Sequence, residues 1–189
     1  MGRKTMGVIS YGLGTPADLL AKLKHDAGVL SPTPHPFEVF NFIVTTSVLY
    51  EWISKVYGSD PLVVAIRDAV TRTRGDEMPG AVSLWVTDFA GLRDEPGDLS
   101  VHVVNLIQIC MNTANASKHY HWEKGAVTSI ATEPIVGDWY QYFFTSTAPD
   151  LYIEGNGQSY GLSQIKTVLL QFYEGLITQL DGRHVASSR

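Results

Sequence analysis

The hydrophobic residues of this chain recur mainly at the three- and four-residue spacing of α-helices. Leu19, Leu23 and Ala27, for example, share one face of a first predicted helix. The same periodicity predicts further helices at 36–57, 61–73, 81–92, 99–122 and 163–181. Glycines and prolines separate these segments, because both residue types disfavour a continuous helix. The pattern therefore predicts five or six helices.

The pattern changes after Gly125. Residues 126–133, 139–146 and 151–154 are rich in valine, isoleucine, threonine and aromatic residues, which favour strands. The sequence Gly-Asn-Gly at 155–157 is typical of a hairpin turn.

Together these patterns predict a mainly α fold in a single domain, 1–189. We expect a helical bundle over about 15–122, a small antiparallel β-hairpin or sheet over about 126–161, and a C-terminal helix over about 163–181. A chain of 189 residues is long enough to bury a core of its own.

The predicted helix 36–57 is the most hydrophobic segment of the chain. Its apolar residues cover more than one face; they include Phe37, Phe40, Ile43, Val44, Val48, Trp52, Ile53 and Val56. A helix that is apolar nearly all round lies at the centre of a bundle or at a subunit interface. Both positions stay open for this helix.

The predicted helix 99–122 carries a stripe of neutral polar side chains. At 100° per residue, one arc of about 100° holds the stripe, which consists of Asn105, Gln108, Asn112, Asn115, His119 and Trp122. A solvated face normally carries lysine, glutamate and arginine, whereas amides suit partners that both donate and accept hydrogen bonds. Three interpretations are open: a buried seam in which the amides pair with one another or with Asn41 and Thr45, a binding or catalytic groove, and an ordinary wet surface.

The end of this stripe, Ala-Asn-Ala-Ser-Lys-His at 114–119, resembles the motif of HEPN-type helical domains. Many of these domains are RNases of toxin–antitoxin, abortive-infection and CRISPR-linked defence systems. Their motif is Arg-Asn-x-x-x-His on a late helix of a bundle, commonly completed by a second subunit. Asn115 and His119 match the motif asparagine and histidine. The resemblance implies that His119 handles protons at the ribose 2′-hydroxyl or the leaving oxygen.

The chain departs from this motif at the arginine, which would hold phosphate charge and is replaced by Ala114. Lys118 is the cation nearest in sequence, but it lies about 100° around the helix from His119. This departure favours a non-catalytic, HEPN-like interaction or regulatory protein of bacterial or prophage origin, which we expect to form a homodimer. The run is also similar to one in bacterial and prophage-type proteins that have no assigned activity.

Two alternative functions remain open. The first is a divergent, metal-independent RNase in which His119 is the catalytic residue and Asn115 and Lys118 assist it. The second is a small-molecule binder whose pocket is lined by polar residues of this helix; the candidates are Asn105, Gln108, Asn112, Lys118 and Trp122.

Composition narrows the choice of partners. The formal net charge is −5, which argues against nonspecific binding of duplex DNA but leaves RNA or protein partners possible. The single cysteine, Cys110, excludes an intrachain disulfide, and the histidines show no metal-ligand spacing, so we expect no cofactor. No apolar run approaches the length of a membrane span, and we expect a cytoplasmic protein.

Overall fold

The computed structural model describes residues 12–31, 34–71, 85–86, 96–118, 127–131, 151–155 and 158–187. The described parts contain five α-helices and a small antiparallel sheet before the last helix, which confirms the predicted fold class. The helices are α1 (Pro16–Val29), α2 (Pro36–Val56), α3 (Pro61–Thr71), α4 (Pro96–Lys118) and α5 (Leu162–Ser187). The strands are β1 (Val127–Ala131), β2 (Tyr152–Gly155) and β3 (Gln158–Gly161).

The first two helices begin where their capping residues predict. Thr15 precedes α1, and its hydroxyl accepts a hydrogen bond from the backbone N–H of Asp18 while the Asp18 carboxylate accepts from the N–H of Thr15. His35 and Glu38 form the same reciprocal arrangement at the start of α2. Each cap is followed by a proline, whose fixed backbone angle suits the first turn of a helix.

The sheet has the strand order β1-β2-β3 and is antiparallel throughout. Gly155 pairs with Gln158 across β2 and β3, which confirms the predicted hairpin. The sequence analysis did not predict β3. The predicted strand 139–146 lies outside the described residues, as does the predicted helix 81–92 apart from residues 85–86.

Two helix boundaries differ from the prediction. Helix α4 begins at Pro96, before the predicted start at residue 99, and its predicted last residues, 119–122, lie outside the described range. Helix α5 continues through Gly182 to Ser187, beyond the predicted end at about residue 181. Asp181 accepts a hydrogen bond from the Tyr57 hydroxyl and Arg183 pairs with Asp60, so this end of α5 is tied to the chain that joins α2 and α3.

Helix α2 lies at the centre of the packing. It contacts α1, α3 and α4, and the Tyr173 hydroxyl of α5 donates to the backbone carbonyl of Thr46 at 3.2 Å. Each of the five helices contributes fully buried side chains to the core around α2. These side chains include Leu23, Phe42, Leu49, Ile66, Leu106, Ile109 and Phe172. Among the described helices, none combines the length and hydrophobicity needed to cross a membrane.

Candidate functional site

Two amides of the predicted polar stripe, one buried and one half-buried, bond to neighbouring elements. Asn105 is 4% exposed, and its Nδ2 donates to the Tyr160 hydroxyl at 3.2 Å. Gln108 donates from Nε2 to the backbone carbonyl of Val70 at 2.8 Å. These bonds connect α4 to β3 and to α3, so this part of the stripe lies in a hydrogen-bonded seam.

The partners in this seam differ from those considered in the sequence analysis. Asn41 is exposed on α2, and Thr45 bonds to residues of α1. Both lie on α2, which α4 also contacts, but the amides of α4 reach β3 and α3 instead. Helical spacing gives the direction of a side chain but not the element that it meets.

The second half of the stripe is only partly described. Asn112 is half-buried and Asn115 is exposed near the end of α4. Lys118 is the last residue of α4, and its side chain lies outside the described set, as do His119 and Trp122. The pairing of Asn115 with His119 therefore stays a prediction.

A buried network contains two residues that the sequence analysis did not select, His102 and Tyr160. The Nδ1 of His102 lies 2.7 Å from the Tyr160 hydroxyl, and the two rings meet edge to face. The hydroxyl accepts from Asn105 and can donate its own proton to Nδ1 of a neutral His102. The i, i+3 spacing of His102 and Asn105 could have shown that they share a helix face. Tyr160 lies in β3, whereas His102 and Asn105 lie in α4. The buried network therefore ties the hairpin to α4.

A second polar cluster joins α1 to α2. The Nζ of Lys22 donates to Asp26 Oδ2 at 2.5 Å and to Thr45 Oγ1 at 2.6 Å, and Thr45 donates to the same Asp26 oxygen at 2.6 Å. Asp26 and Thr45 are buried. The Asp26 carboxylate is thus paired with the Lys22 ammonium group and also hydrogen-bonded by the Thr45 hydroxyl, as a buried carboxylate requires. Over the described part of the chain, no three His, Cys, Asp or Glu side chains are grouped as metal ligands.

An open groove of about 590 Å³ runs along α5. Its lining combines an indole with neutral polar groups and one carboxylate, contributed by Trp85, Gln171, Glu174, Gly175, Thr178 and Gln179. The carboxylate of Glu174 pairs with Lys24 at 2.7 Å. The Trp85 ring packs directly on the backbone of α5 at Gly175, since a Cβ at that position would lie 2.5 Å from Trp85 Cγ.

The outer face of α2 exposes two aromatic side chains near its N-terminal end, whereas Val44, Val48 and Trp52 further along are half-buried and pack against the core. Phe37 is 72% exposed and Phe40 48% exposed. We define the α2 outer stripe as the residues spaced alternately by four and three positions: Phe37, Asn41, Val44, Val48, Glu51 and Lys55. Phe40 and Trp52 flank it on opposite sides. The opposite face of α2 is buried in the core.

Comparison with known proteins provides no relative. No protein-family model matches the chain, and no curated protein or solved structure matches it either. Function is therefore inferred from the geometry described above.

Proposed function

We propose that the chain is a non-catalytic interaction or regulatory protein that acts as a homodimer, with the α2 outer stripe as its contact surface. The exposure of Phe37 and Phe40 carries this proposal. Burying apolar surface is favourable by about 25 cal/mol per Å², so large aromatic side chains on one exposed helix face favour association. A charged fraction of only 17% leaves few charges to oppose such contact.

The arrangement of the buried polar groups also supports a role without catalysis. His102 and Asn105 both bond to the Tyr160 hydroxyl in the interior, where a substrate does not reach them. Asp26 and Thr45 form a buried cluster with Lys22. Groups that are already satisfied within the chain stabilise the fold, and a substrate would have to displace those bonds.

The proposal is tested by the native mass of the full chain across a dilution series, measured by light scattering. We expect the wild-type mass to rise from that of a 20.8 kDa monomer toward twice that value as concentration increases. The double variant Phe37→Ser, Phe40→Ser is expected to stay monomeric, because it removes the two most exposed aromatic rings of this face.

Val56→Ser provides the matched control. Val56 is 53% exposed on the same helix, but it lies about 100° around the axis from the centre of the stripe. This variant should dimerise like the wild type. A wild-type chain that stays monomeric at every concentration overturns the proposal, and so does equal loss of dimer in the double variant and in Val56→Ser.

A divergent RNase is the second candidate, and the exposure of Asn115 favours it because a motif residue must be reachable by substrate. The test is incubation of the metal-free full chain with single-stranded RNA. If the chain is a non-catalytic dimer, as we propose first, RNA-cleaving activity should not co-purify with the protein. Cleavage that is lost in both His119→Ala and Asn115→Ala would instead establish the RNase, and would leave the dimer surface to be judged by its own experiment.

A further inference from the structure

We draw no further inference here: the strongest candidate, the open groove along α5 that Trp85 borders, carries none because its carboxylate, Glu174, is already paired with Lys24 and nothing in the structure shows what covers the neutral polar side chains that line the rest of it.

Discussion

At the residue scale, the described structure depends on buried polar groups whose partners are distant in sequence. The Tyr160 hydroxyl accepts from Asn105 and lies against His102, residues 55 and 58 positions away. A buried donor or acceptor that loses its partner costs about 1–3 kcal/mol. Single-atom changes in this network should therefore have measurable effects on stability.

Tyr160→Phe should lower the free energy of unfolding by about 1–3 kcal/mol, because it leaves Asn105 and His102 without the hydroxyl while they stay buried. Tyr57→Phe is the matched control, since it removes a tyrosine hydroxyl whose bond to Asp181 is exposed. We expect a smaller loss there, below about 1 kcal/mol. Urea unfolding measures the loss of stability in both variants. Equal losses would show that the buried hydrogen bonds of Tyr160 contribute no more to stability than the exposed bond of Tyr57.

The pH dependence of the free energy of unfolding should show the contribution of the buried Cys110 thiol. Complete burial raises the pKa of its thiol from 9.0 to about 12. Between these values the unfolded chain releases the thiol proton and the folded chain keeps it, so the contribution to stability is full below pH 9 and is lost as the pH rises toward 12. Cys110→Ala should therefore lose stability less steeply than the wild type between pH 9 and 11 in urea titrations. If stability falls with pH at the same rate in the wild type and in Cys110→Ala, the raised pKa of the Cys110 thiol is contradicted.

At the element scale, local signals predicted helices better than strands. Proline after a capping residue marks the starts of α1 and α2, and the four-residue spacing of leucines predicts the buried face of α1. Strand β3 was missed because Gln158–Gly161 contains one aromatic residue and no β-branched residue. The extension of α5 past Gly182 was missed because Asp181 and Arg183 find partners more than 120 residues away.

The close contact between α5 and Trp85 leads to a test with two glycines of the same helix. Gly175→Ala should destabilise the protein by about 1–3 kcal/mol, because the new Cβ would lie 2.5–2.7 Å from atoms of the Trp85 side chain. Gly182→Ala has no heavy atom within 4 Å of the new Cβ and should stabilise by up to about 1 kcal/mol, the helix-propensity difference. Thermal unfolding compares them, and stabilisation by both would refute the contact.

At the scale of the whole molecule, α2 packs against α1, α3 and α4, accepts a hydrogen bond from Tyr173 of α5, and still exposes two aromatic side chains. The hydrophobic pattern of residues 36–57 predicted that such a helix lies in a bundle centre or at an interface. Burial of Phe42 and Leu49 places it centrally, and Phe37 and Phe40 leave its first turns exposed. The amide stripe of α4 was predicted from spacing, but the bonds of Asn105 and Gln108 could not be, since their partners depend on the tertiary packing of α4 against β3 and α3.

Sedimentation equilibrium of the unmodified full chain, from low to high micromolar concentration, tests the central claim most directly. Association through the exposed face of α2 predicts a single reversible monomer–dimer equilibrium, with no larger species, because two-fold contact uses up the surface of both subunits. A mass fixed at 20.8 kDa throughout would contradict it. So would open-ended growth to larger assemblies, since that requires a contact that does not close on itself.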